Sequence, residues 1–293
     1  MPEGTELLIK AEEIRRYLKK IGTRTILGIG WDEGSKYSSR YKGKKKQLKG
    51  LEYFKLPIEV EKVFSIGKNI IMRCINAEQR QIYICFHLGM SGLFHFGKES
   101  KKKHSNLWIK FCDQKFNEIS RFYFTDPRKF GSCSIYTNLN EILKKNGPCL
   151  MTAALIKYAE KVEVEGYEAT RKLWHMALSR SKSTRPIAEF MMQQKYVSGI
   201  GNYLRAEILY RCRIDPKRTL SGLNLEEKDL LYDASLDVMY ESWKAKGPSA
   251  GYIPGGHFYL HVYGREIDDF GNPVHKYLDA NNRTVHYVPA IQL

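Results

Sequence analysis

Apolar positions over Glu6–Lys19 fall at helical spacing: Leu7, Ala11, Ile14 and Leu18 recur every three or four residues, with Lys10, Glu13 and Arg16 between them. That predicts an opening helix. From about Thr23 to Tyr136 the period shortens to that of strands. Runs such as Thr25–Ile29, Ile70–Cys74, Ile82–His87, Leu107–Phe111 and Arg121–Phe124 are separated by Gly, Asn and charged turns. Many short strands with no long helices between them predict an antiparallel β-sandwich. After Pro148 the helical period returns, over Tyr167–Arg180, Tyr203–Cys212 and Glu226–Lys244. Thr184 before Arg185-Pro186 reads as the N-cap of a further helix running to about Tyr196. The Gly- and Pro-rich stretch Lys246–His257 reads as a mobile loop. The chain then returns to β character, with Val274–Leu278 and Val285–Val288 flanking a turn at Asn281-Asn282. The expected fold class is α+β. Residues 1–150 form a helix plus an antiparallel sandwich, and residues 151–293 form a helical domain ending in a β-hairpin from about 257 onward.

Composition narrows this picture. With 43% hydrophobic and 12% aromatic residues, the 293-residue chain can build sizeable cores, which excludes wholesale disorder. No apolar run approaches the roughly 20 residues of a membrane span, and no signal-peptide core is present, so no membrane partner is expected. A net charge of +16 suits a polyanion such as nucleic acid, and also a solubilised surface or a membrane-associated protein. The basic runs Lys36–Lys49 and Lys98–His104 read most simply as solvated loops; within them Lys44–Lys46 and Lys101–Lys103 are weak nuclear-targeting candidates. The six cysteines form no C-x-x-C pair, and none follows Cys212, so zinc-ribbon spacing is absent. They read as reduced, buried thiols of an intracellular protein.

Candidate chemistry begins at Pro2. Initiator methionine is commonly removed before a small residue, which would leave Pro2 as a secondary amine. An α-amino group has a pKa near ~8 against ~10.4 for lysine, so far more of it is a neutral nucleophile at neutral pH. Glu3 beside it could shuttle protons. Alone, Pro-Glu is an ordinary terminus. Between Lys195 and Tyr203, the sequence helix-Gly199-Ile200-Gly201-Asn202-helix lets backbone approach a phosphate, or simply makes a helix–helix turn. Arg283, after the hairpin turn, could clasp a phosphate or stand idle in solvent. His87–Gly92 holds Met90 in a Gly-flanked turn, and Asp126–Gly131 holds Arg128 and Phe130 in another. Together these three could fill a gap in a base stack; singly, Met90 and Phe130 read as core.

Taken together, these segments resemble the formamidopyrimidine-DNA glycosylase/endonuclease VIII family over the whole chain. The carrying motifs are Met1-Pro2-Glu3-Gly4 with Glu6, Ser65–Asn69 around Gly67-Lys68, His87–Gly92, Asp126–Gly131, Gln194–Asn202 (the helix–two-turn–helix signature) and His261-Val262-Tyr263-Gly264-Arg265. The last is the family's lead-in to a zinc finger, and here the chain departs from the zinc-bearing members. The four ligand positions carry Val274, Tyr277, Val288 and Ile291, none able to bind zinc. This resembles the zincless finger of the endonuclease VIII-like branch, so no metal and no cofactor is expected, and a small hydrophobic cluster should stand at the former ligand positions.

The resemblance implies a base-excision-repair glycosylase and AP lyase acting on oxidised pyrimidines and hydantoin-type guanine products. In that reading Pro2 is the nucleophile and Glu3 the proton carrier. Lys68 and Arg283 complete the catalytic set, with Lys68, Asn202 and Arg283 clamping phosphates. Glu6 lies near the lesion, Met90, Arg128 and Phe130 fill the vacated space, and Tyr252 sits where the family's lesion-capping loop lies. Damaged DNA, double- or single-stranded, would be the partner of a monomer. The alternative is a non-catalytic damaged-DNA-binding protein on the same fold.

Overall fold

The structure is a computed structural model that describes residues 2–38, 48–97, 104–159, 168–249 and 251–293. Most of both basic runs, with their tri-lysine segments, lies outside the described residues, as do Tyr167 and Ala250. The chain divides into two compact units. The first comprises Lys10–Ser65 and Asn69–Ile142. The second gathers three stretches, Pro2–Ile9, Ile66–Lys68 and Leu143–Leu293, so two short N-terminal segments group with the C-terminal part. A single cut near residue 150 does not describe this arrangement.

Helix α1 (Gly4–Ile21) starts earlier than its apolar period suggests, and Leu7, Ala11, Ile14 and Leu18 are all buried. In the first unit, β1 (Thr25–Gly30), β2 (Ile58–Ile66), β3 (Asn69–Ile75), β4 (Gln81–His87), β5 (Leu93–Gly97), β6 (Ser105–Cys112), β7 (Glu118–Thr125) and β8 (Ser132–Tyr136) form one sheet. Their order is β5-β7-β6-β1-β2-β3-β4-β8. The β3–β4 hairpin runs in unbroken register from Asn69 opposite His87 to Ile75 opposite Gln81. Strands β4 and β7 are far apart in that order. Yet Phe86 of β4 packs edge-on against Phe122 and Phe124 of β7, with ring centroids 5.4 and 5.8 Å away. The sheet therefore folds over on itself, and these aromatic side chains fill the space between its halves, each pair adding to the burial of large apolar surface. This is the sandwich that the alternating runs predict, made from one continuous sheet.

In the second unit are α3 (Leu150–Tyr158), α4 (Arg171–Arg180), α5 (Ile187–Met191), α6 (Asn202–Arg211) and α7 (Leu225–Lys244); α2 (Leu139–Leu143) precedes them at the boundary. Thr170 caps α4 by accepting from the Leu173 amide, and Asn224 and Glu227 form a capping box at α7. The helix expected from Thr184 to Tyr196 is shorter. It begins after Pro186, has no side-chain cap, and ends at Met191. The reason lies beyond its own period: the Ile187 and Ala188 amides donate to the Arg218 and Pro216 carbonyls, which removes the need for a cap. Strands β9 (His275–Leu278) and β10 (Thr284–Tyr287) pair antiparallel, Thr284 opposite Leu278.

Beneath this hairpin, Val262, Val274 and Val288 form a buried apolar cluster with Ala206 of α6, and Tyr210, Tyr263 and Ile291 pack against it. Val274, Val288 and Ile291, three of the four residues that the resemblance sets against zinc ligands, thus sit in one hydrophobic cluster. Tyr277, the fourth, meets Tyr287 edge-on at 5.8 Å. All six cysteines are free thiols and buried, as read from the sequence. Among the described residues no helix is long and apolar enough to cross a membrane.

Candidate active site

The site is assembled within the second unit from segments as far apart in sequence as Pro2 and Arg283. At its centre is the buried carboxylate of Glu3. Oε2 accepts from the Gly201 amide at 2.9 Å and the Leu204 amide at 3.2 Å, and Oε1 accepts from the Tyr203 amide at 3.0 Å. Those are first-turn donors of α6 and the residue before it, which have no partner inside the helix. A carboxylate there is also favoured by the helix dipole. Gly201 carries no side chain for a reason: a Cβ would stand 2.3 Å from the Glu3 carboxyl carbon. The Gly4 amide donates to the Gly199 carbonyl at 2.8 Å and pins the terminal segment to the same loop. Pro2 is buried beside Glu3. Gln194 in turn holds that loop from behind, its side chain accepting from the Gly199 amide and donating to the Ile200 carbonyl.

Opposing influences set the charge state of Glu3. Burial raises its pKa and the neighbouring Glu6 carboxylate reinforces that, the Lys68 ammonium and the Tyr203 and Leu204 amides oppose it, and the net result is about 7. Lys68 is pushed down by burial; Glu3 opposes this and the Arg283 guanidinium adds to it. Lys68 follows Gly67, whose positive φ of 55° and close approach to the Ser198 side chain exclude a larger residue. Glu6 accepts from the Glu3 amide at 2.7 Å, and burial raises its pKa as well. Behind it, the Tyr203 hydroxyl bonds to those of Thr5 at 2.8 Å and Ser242 at 2.9 Å.

Asn202 and Arg283 are linked through residues the sequence reading did not single out. Arg205 donates from Nη2 to the Asn202 side-chain oxygen at 3.2 Å and from Nη1 to Asp279 at 2.8 Å. Asp279 accepts the Arg283 amide at 3.0 Å. A basic residue within a helix whose neighbours are all buried was the available signal for Arg205. Tyr252 is half-buried in the Lys246–His257 loop. At the base of that loop, Gly247 would bring a Cβ within 3.1 Å of Glu6 Oε1.

Met90, Arg128 and Phe130 belong to the first unit, separate from this group. Contrary to a core reading, Met90 is 43% and Phe130 65% exposed. The Arg128 guanidinium reaches Met90 Sδ at 3.5 Å. Asp126 supports their turn, accepting from the Gly131 amide at 2.6 Å and the Ser91 hydroxyl at 2.5 Å. So the structure brings Pro2, Glu3, Glu6, Lys68, Asn202 and Arg283 into one unit, and Met90, Arg128 and Phe130 onto one surface of the other.

The chain matches the formamidopyrimidine-DNA glycosylase N-terminal domain over residues 1–133 and the formamidopyrimidine-DNA glycosylase H2TH domain over residues 166–251. Those two matches make it a DNA glycosylase by class. More particularly, it belongs to the formamidopyrimidine-DNA glycosylase family. A formamidopyrimidine-DNA glycosylase of Listeria innocua is 26% identical, with 80% of this chain and 82% of that one aligned. One from Bacillus cereus is 25% identical over 100% of this chain and 99% of its own. Among solved structures, the Fpg protein bound to THF-DNA and an inhibitor has a TM-score of 0.74 at 24% identity, covering 100% of both chains. MutM in complex with DNA containing carbocyclic 8-oxo-G has a TM-score of 0.73 at 23% identity, covering 98% of this chain and 99% of that one.

Proposed function

We propose that the protein is a bifunctional glycosylase and AP lyase that excises oxidised bases from DNA through an imine formed by Pro2. With Met1 removed, the Pro2 secondary amine attacks C1′ of the damaged nucleotide. The glycosidic bond breaks and the base leaves with its electron pair, while Glu3 protonates the opening sugar. The iminium at C1′ acidifies the C2′ proton, and its removal expels the 3′ phosphate. A second elimination expels the 5′ phosphate, so the strand is cut on both sides. Lys68, Asn202 and Arg283 hold the phosphates of the extruded nucleotide. Met90, Arg128 and Phe130 occupy the space it vacates, and Glu6 and Tyr252 lie on the lesion side. The resemblance to the endonuclease VIII-like branch supports oxidised pyrimidines and hydantoin-type guanine products as the substrates.

The observation that carries this reading is the carboxyl of Glu3, buried against the amine-bearing residue and held by burial at a pKa of about 7. A carboxyl with that value is protonated and ionised in similar amounts near neutrality, as an acid that must later act as a base requires. The test is borohydride trapping on duplexes carrying an oxidised pyrimidine. Wild type should form a covalent complex with nicked DNA, Pro2→Gly should trap weakly, and a form retaining Met1 should not trap. Equal trapping and nicking by all three forms excludes Pro2 as the nucleophile. Damage-selective binding with no trapping by wild type supports the non-catalytic alternative.

A further inference from the structure

The hairpin turn that carries Arg283 stands above an apolar cluster, and polar contacts from α6 hold it. Three consecutive residues of α6 reach the finger. Ala206 enters the apolar cluster under the hairpin. Glu207 accepts from the amides of His261, Val262 and Tyr263 at 2.9, 3.1 and 2.9 Å. Arg205 reaches the turn itself. Its Nη1 meets Asp279 Oδ2 at 2.8 Å and its Nη2 donates to the Thr284 carbonyl at 3.1 Å. The two side chains of this ion pair are 0% and 1% exposed, so neither solvent nor salt screens it.

The other Asp279 oxygen folds the turn. Oδ1 accepts from the amides of Asn281 at 2.9 Å and Arg283 at 3.0 Å, while the Asp279 amide donates to the Arg283 carbonyl at 3.0 Å. One carboxylate therefore both fixes the backbone of Arg283 and anchors it to α6. At its opposite edge the guanidinium engages Asn202 Oδ1 at 3.2 Å. A guanidinium can only donate, so the side-chain oxygen of Asn202 faces Arg205 and its amino group is left to face outward as a donor. That is the orientation an anionic phosphate requires.

We infer that Arg205 and Asp279 are positioning residues that set Asn202 and Arg283 as a single unit for phosphate binding. This rests on the proposed role of Arg283 and Asn202 as phosphate clamps. Both ends of the clamp answer to one buried guanidinium, so disturbing Arg205 misplaces two phosphate contacts at once. Disturbing Asp279 releases the Arg283 end.

A double-mutant cycle tests this with single-turnover nicking of an abasic-site duplex, in the full chain. Asp279→Asn and Arg205→Met are each measured with Arg283 present and in an Arg283→Ala background, with thermal melting recorded for every variant. Asp279→Asn should slow nicking at least tenfold when Arg283 is present and less than twofold when it is absent. Arg205→Met should retain part of its effect without Arg283, and lose that part when Asn202→Ala is added. Equal fold-losses in both backgrounds, or no loss at all, overturn the inference, because a purely structural role would not depend on Arg283. Should Asp279→Asn fail to fold, Arg205→Lys, which keeps the charge without the fork, enters the same cycle and is read the same way. Wild-type nicking by Arg283→Ala alone is a different result, and it overturns the clamp reading on which the inference rests.

Discussion

The carboxylate of Glu3 accepts the backbone amide of Tyr203 at 3.0 Å across 200 residues of sequence. This contact joins the chain terminus to the first turn of α6, and the Gly201 and Leu204 amides donate to the same side chain. Glu3 is thereby the cap of a helix and, in the proposed mechanism, also the acid next to Pro2. Any change to it disturbs structure and chemistry together.

Base release should fall as pH rises above about 8, because there the Pro2 amine is already neutral while Glu3, raised to about 7, keeps losing its proton. Above that point each pH unit removes about tenfold of the protonated acid. Single-turnover excision from pH 6 to 9 should show this descending limb, and Glu3→Gln, which has no proton to lose, should flatten it at a much lower rate. The sign for stability follows from the same shift. A carboxyl raised above its ordinary 4.5 contributes fully below that pH and loses the contribution as pH rises through 7. An excision rate that climbs steadily from pH 7 to 9 would remove Glu3 from the acid role.

Removing the Arg283 side chain should cost activity and not fold. Its backbone is fixed by Asp279, and its guanidinium makes no hydrogen bond or ion pair among the described residues. Arg283→Ala should slow single-turnover nicking at least tenfold while changing stability by about 0.5 kcal/mol or less, the range of ordinary surface substitutions. A melting shift with unchanged nicking would contradict it.

The apolar cluster of Val262, Val274 and Val288 should respond as a hydrophobic core does. Val288 is fully buried in the cluster with Val262 and Val274, and Val288→Ala should destabilise the protein by about 2 kcal/mol through lost contacts and a residual void. Chelators should leave melting temperature and nicking unchanged, and elemental analysis should find no stoichiometric zinc. One zinc per chain would overturn the zincless assignment.

Phe130 is 65% exposed, so Phe130→Ala should barely alter stability. It should instead weaken binding to lesions in duplex DNA more than to the same lesions in single strands. Only a duplex presents an opposite base and a vacated stack for the side chain to fill. Titration of both DNA forms with the variant measures the difference, and equal weakening would detach Phe130 from that role.

Periodicity alone determined most of the elements, because burial of one helix face or one strand face leaves a regular trace along the chain. It placed α1, α4, α6, α7 and most strands within a few residues of where they stand. It failed at Thr184, since the amides that open α5 are taken by the Arg218 and Pro216 carbonyls, and no local pattern encodes those partners. The motifs around Pro2, Gly67, Gly199 and Val262 were legible because residue identity at fixed spacing carried them.

What the tertiary structure decided was which charges face one another. No spacing relates Arg205 to Asp279 or Glu3 to the Gly201 amide, and the value of each contact comes from burial that removes competing water. Arg205 reads in the sequence as one cation among 48 basic side chains. Only folding showed it to be enclosed, paired, and joined to both Asn202 and the turn that carries Arg283.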